Sequence, residues 1–140
     1  MSDAYWKHFD HRADIGIEGV GPAPEQAFAQ AAMALMAIMC DLETIEKKES
    51  RRIEVSGENL EILYYDFINE LIYLITSEGF VFSQAEVSIS GHGLRAEMIG
   101  EPMDISRHQP SVEVKAASFS SLEVTRSPEG LFIARCIVDV

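Results

Sequence analysis

Two stretches of the chain carry apolar residues at helical spacing. Phe28, Ala32, Leu35 and Met39 recur every three or four positions, as on one helix face. This segment follows Gly21-Pro22-Ala23-Pro24, where a helix can begin because proline's missing N–H has no intrahelical partner there. It is expected to run to about Asp41. The second helix follows Asn59, a residue type that caps helix N-termini. Its stripe is Leu60, Leu63, Tyr64, Phe67, Leu71, Leu74 and Ile75. Ile62, Ile68 and Ile72 widen that stripe, which predicts cover on more than one side. Gly79 is the natural stop.

The remaining apolar positions mostly alternate, which is strand patterning. Short strands are expected over 15–19, 53–55, 81–82, 85–90, 94–99, 112–116, 122–125 and 131–138. Tight hairpins are expected at Gly91-His92-Gly93 and Ser127-Pro128-Glu129-Gly130, since glycine and proline supply the turn dihedrals. Late strands joined by hairpins pair antiparallel. The fold class is therefore α+β, a compact domain of mostly antiparallel sheets packed with two helices.

Composition narrows this picture. At 140 residues, with 47% hydrophobic positions, the chain is expected to form a single domain over 1–140. Residues 1–70 carry 14 acids and 6 bases and residues 71–140 carry 9 and 5, too even a division to mark a boundary. The net charge of −12 argues against direct DNA binding, because lysine and arginine supply phosphate affinity. It argues equally against a polybasic membrane-surface module. The longest apolar run, 31–40, is half the roughly 20 residues needed to span a bilayer. The N-terminal MSDAYWKHFDH has no apolar signal segment, so a cytoplasmic location is expected. Cys40 and Cys136, each in an apolar context and with no CxxC, are expected to be buried free thiols.

Four stretches hold chemistry. His8, Asp10, His11 and Asp14 crowd the N-terminal segment. Zinc needs three or four converging ligands, and a three-residue spacing on an extended chain sends the two histidines to opposite faces. Asp14 is either a turn residue or a hard-cation ligand. At the other end, Asp139 and Val140 place a side-chain carboxylate beside a main-chain carboxylate. That pair is either a sheet edge or a cation-ligand cluster. Glu101, Asp104, Arg107 and His108 gather around a proline loop ahead of Lys115, either as a functional loop or as solvated ion pairs of small worth. Met33, Met36 and Met39 form either an adaptable interface or part of the core. No P-loop, G-x-S-x-G, H-E-x-x-H or dinucleotide fingerprint occurs.

Taken in order, four blocks make the chain resemble the archease family along nearly its whole length. The entry motif HTADIG stands as His11-Arg12-Ala13-Asp14-Ile15-Gly16, and the helix pattern LLYxxLxELLYL lies within 60–74. The GEPxDxxRH…EVKA block stands at 100–108 and 113–116, and the ending VVDI as Ile137-Val138-Asp139-Val140. The resemblance implies a small acidic accessory protein of the RtcB-type RNA-splicing ligase. Such a protein promotes guanylylation and multiple turnover of that ligase, in tRNA splicing or RNA repair. It implies contact with tRNA or broken RNA only through the ligase, and no activity as an enzyme. It further implies a divalent cation, calcium first with magnesium or manganese as options, held by Asp14, Asp139 and Val140. His108, Lys115 and Glu70 match family positions and are expected near a functional face. Two positions depart from the pattern. Ser120 stands where the family commonly has histidine, and Arg12 where it has threonine, so that Arg12 either pairs with Asp10 or opposes the cation.

Two rival readings remain at this level. One is a small metal-dependent hydrolase using Asp14 and Asp139 with His108 as base. The other is a chaperone-like module built on the methionine-rich helix.

Overall fold

The computed structural model describes residues 3–140. Met1 and Ser2, which open the N-terminal stretch and the expected 1–140 domain, lie outside the described residues. The elements run β1 (Tyr5–His11), β2 (Asp14–Gly21), α1 (Pro24–Met39), a 3-10 turn (Leu42–Thr44), β3 (Glu49–Ser56) and α2 (Leu60–Thr76). They continue with β4 (Phe80–Ser90), β5 (Gly93–Pro102), the one-turn α3 (Ile105–His108), β6 (Ala116–Arg126) and β7 (Phe132–Asp139). A four-stranded sheet has the order β1-β2-β7-β6, a three-stranded sheet the order β3-β5-β4, and every pairing is antiparallel. This is the expected α+β class.

Both long helices lie between the sheets. α1 packs against β2 and β7 on one side and β4 on the other, while α2 packs against β6 and β3. This placement explains the side-chain patterns. α1 buries ten residues around its circumference, so small alanines let both sheets approach. α2 buries the wide stripe expected of it. Asn59 Oδ1 accepts the Ile62 N–H at 2.9 Å, and Gly79 takes φ +66 just past the helix. Met33, Met36 and Met39 are all buried and belong to the core, so α1 offers no adaptable surface.

β2 and α1 approach closely at Gly19, where a Cβ would overlap the Ala27 carbonyl and the Ala31 N of α1. Both are backbone atoms of a buried helix and cannot yield. Gly19→Ala is expected to destabilise the protein by about 1–3 kcal/mol, the usual range for overpacking. Urea unfolding of the variant checks this, and an unchanged midpoint would mean that α1 is free to shift.

Several strands differ from the expectation. β1 carries too few apolar side chains to show alternation. As an edge strand it is held by its ladder to β2. Residues 81–82 and 85–90 form one strand with an irregularity between Phe82 and Gln84. Residues 112–115 are not a strand, although Val114 is buried. Only Ala116 of the expected 112–116 segment enters β6, which continues through 122–125 with an irregularity between Ser118 and Glu123. α3 adds a third helix, nucleated where Asp104 Oδ1 accepts the Ser106 and Arg107 N–H groups. Both expected hairpins form, with Gly91 at φ +60 and Gly130 at φ +88. No helix among the described residues is long and apolar enough to cross a membrane.

Candidate functional site

The register brings the two chain ends together. Ile15 pairs with Val138, so one step further Asp14 stands across from Asp139. His11 pairs with Asp14, and Ala116 with Asp139. Four strands thus end in one row, and residues directly opposite in a sheet share a face. That face points away from α1, because Ile17, which alternates with Gly16 and Glu18, is the residue packed inward in the core. The turn closing β1 onto β2 has two residues, with Arg12 at φ +57, the left-handed geometry that tight hairpins favour.

Neither aspartate carboxylate at this corner takes part in a hydrogen bond or ion pair among the described residues. Like charges directly opposite each other destabilise a strand pair by a few tenths to about 1 kcal/mol, and neither carboxylate has an ion-pair partner among the described residues. The Asp139 carbonyl accepts the Lys115 N–H at 2.9 Å, which ties Lys115 to the same place. Val140 follows at the exposed end. Arg12 forms no ion pair among the described residues, with Asp10 or otherwise. Within the described residues no group of three or more His, Cys, Asp and Glu side chains is placed to hold a metal. Two side-chain carboxylates, with the main-chain oxygen of Val140, make an all-oxygen donor set, which suits a hard cation. So small a set leaves several of the six to eight calcium positions open.

His8 and His11 do point to opposite faces. His8 Nε2 donates to the Ala34 carbonyl of α1 at 2.7 Å, while His11 lies in the row with Asp14. The Nδ1 of His11 is buried without a hydrogen-bond partner. Glu70 is an exposed residue of α2, next to Asn69. The Asn69 Oδ1 accepts the Ala117 N–H at 3.1 Å, fastening α2 to the first residues of β6. Ser120 is exposed in the irregular middle of β6, beside Phe119, which meets Tyr65 edge to face.

His108 is placed differently. It is 2% exposed and packs on β5 of the other sheet. Its Nδ1 accepts the Asp104 N–H at 2.8 Å, so the proton sits on Nε2 and is donated to Glu101 Oε2 at 2.8 Å. Glu101, also 2% exposed, accepts in addition a two-pronged bond from Arg107 at 2.6 and 2.8 Å and the Glu46 N–H at 2.8 Å. The Arg107 guanidinium, the Glu46 N–H and His108 outweigh burial and hold the Glu101 carboxyl far below the usual carboxylate range. At its centre, Glu101 and His108, the loop of mixed charges is therefore neither solvated nor an open site, while Asp104 and Arg107 stay exposed. It is an interlock that joins β5, α3 and the segment before β3. With both ring nitrogens engaged, His108 has no lone pair free to act as a base.

Both cysteines are free and buried. Burial pushes the Cys136 thiol up to about 12. Burial, then Asp41, raises Cys40. Neither is a thiolate nucleophile at neutral pH.

Comparison with known proteins matches residues 6–140 to the model of the archease protein family (MTH1598/TM1083). A protein archease from Pyrococcus abyssi is 40% identical over 139 residues, covering 96% of this chain and 98% of that one. The solution structure of Methanobacterium thermoautotrophicum protein 1598 superposes with TM-score 0.81 at 33% identity, covering 96% of this chain and 98% of that one. The fold is shared with a Thermotoga maritima crystal structure described as an archease and possible chaperone, at TM-score 0.60, 21% identity and 96% coverage of both chains.

Proposed function

The chain belongs to the archease family, and on that premise we propose that it is a cation-binding accessory protein of an RtcB-type RNA-splicing ligase rather than an enzyme. Asp14, Asp139 and the Val140 main-chain carboxylate hold the divalent ion, with calcium first and magnesium or manganese as substitutes. The observation that carries this reading is the pairing of two partnerless carboxylates across β2 and β7. A hard ion bound there would supply a positive centre with open positions for oxygen ligands from a partner. Lys115, tied to Asp139 through its N–H, borders that corner, and the exposed Glu70, next to the Asn69 that holds Ala117, extends the contact face. His108 supports the fold of the loop behind it. The acidic surface steers the protein to a basic partner, and RNA is reached through that partner.

The hydrolase reading loses its base, because His108 is fully engaged and lies on the other sheet. A chaperone-like role would need a surface other than the buried methionine helix.

A guanylylation assay tests the proposal. Substoichiometric protein is expected to accelerate guanylylation of a cognate RtcB-type ligase and to support repeated turnover. An extension beyond Val140, which turns its carboxylate into an amide, is expected to weaken the effect more than an N-terminal extension does. No acceleration with calcium, magnesium or manganese would contradict the accessory role.

A further inference from the structure

The C-terminal ends of α1 and α2 come together at a groove of about 510 Å³, next to the loop that carries the Glu101 interlock. Its wall is apolar, formed chiefly by Met39, Ile75, Met103 and Val112, and Thr76 and Glu113 supply its polar edge. Two backbone bonds stitch the wall together: Ser111 N–H to the Met39 carbonyl at 2.9 Å and Met103 N–H to the Gly79 carbonyl at 2.7 Å. The groove is therefore a built feature of the fold.

Its electrostatics are one-sided. Met39 and Thr76 are the last residues of their helices, and neither helix has a basic residue in its last turn. Each helix C-terminus carries roughly half a negative charge. At the end of α2 the Tyr73 carbonyl takes both the Ser77 and the Glu78 N–H, and the carbonyls beyond it have left the helical ladder. Glu113 is exposed at the rim, and no Lys or Arg is among the lining residues. An apolar trough edged by Glu113 and the end of α2 suits a side chain with an aliphatic stem and a cationic head.

We propose that this groove receives an arginine or lysine from a basic segment of a protein partner. Half-buried Met103 and Val112 pack the stem over a floor of buried Met39 and Ile75, methionine being the apolar side chain that adapts best to a varied occupant. Glu113 and the carbonyls at the end of α2 accept hydrogen bonds from the head. Glu113 is three residues from Ala116, at most about 10 Å of chain, so the groove and the carboxylate corner share one edge of the molecule. The inference goes beyond the cation site and does not rest on the partner being a ligase.

The test uses the full chain with ¹³C-methyl methionine, without any divalent ion or ligase. Met39 and Met103 report on the groove, while Met36 and Met98, fully buried and not part of its lining, serve as controls. Titration with acetyl-Leu-Arg-Leu-amide is expected to shift the Met39 and Met103 methyls saturably and leave the controls in place. Glu113→Gln, at an exposed position, is expected to weaken binding about threefold to tenfold. Raising the salt from about 50 to about 300 mM is expected to weaken it as well. Absence of shifts at millimolar peptide would overturn the proposal. So would equal binding of acetyl-Leu-Glu-Leu-amide, or binding indifferent to both Glu113→Gln and salt.

Discussion

Glu101→Ala is expected to lower the unfolding free energy by about 3 kcal/mol at neutral pH. Truncation leaves the buried His108 Nε2–H and the Glu46 N–H without an acceptor. It also leaves Arg107 without its two-pronged partner. The effect sits at the low end for a broken buried ion pair, because the Arg107 side chain is 38% exposed and recovers hydration. Glu101→Gln keeps the shape and the Glu46 bond, and is expected to cost less. The pH dependence has a definite sign. The folded carboxyl is held well below its ordinary value of 4.5, so its contribution is complete above that pH. It declines as pH falls below 4.5 toward the folded value. Urea unfolding of wild type and Glu101→Gln should therefore differ by a constant amount between about pH 5 and pH 8 and converge in acid. A gap that widens in acid would contradict the interlock.

Asp14→Asn and Asp139→Asn are expected to change stability in opposite directions with and without a divalent ion. Without it, each variant removes a repulsion between facing carboxylates and is expected to gain a few tenths to about 1 kcal/mol. With calcium at about a hundred times its dissociation constant, wild type gains about 2.7 kcal/mol by mass action and the variants gain little. Thermal unfolding across a calcium series measures both effects. A calcium shift of equal size in wild type and both variants would place the ion elsewhere.

How legible these features are in the chain depends on how local their causes are. Both long helices and both glycine hairpins are set by spacing, caps and turn residues within a few positions, and they appear where those signals stand. β1 is an edge strand of mixed polar residues whose only lateral support is β2, so its alternation is weak. Met33, Met36 and Met39 could have been core or surface. The second sheet decides it, by covering the far side of α1. At the candidate site, Asp14 and Asp139 are visible as ligand types and through their place in the family motifs. Their meeting depends on the β2–β7 register, across more than a hundred residues. The Glu101 interlock is harder to see. Its residues cluster in sequence, yet their burial depends on the Glu46 backbone 55 positions away. Asn69 likewise reads as one polar residue on a helix until the Ala117 N–H meets it.

The central claim is that the two chain ends form one cation site. Line broadening of backbone amides by substoichiometric Mn²⁺ tests it most directly. The arrangement predicts broadening confined to residues 11–15, 115–117 and 138–140, abolished in Asp14→Asn and Asp139→Asn. Broadening centred on the Glu101 loop or the β4–β5 hairpin, or retained in both variants, would contradict it.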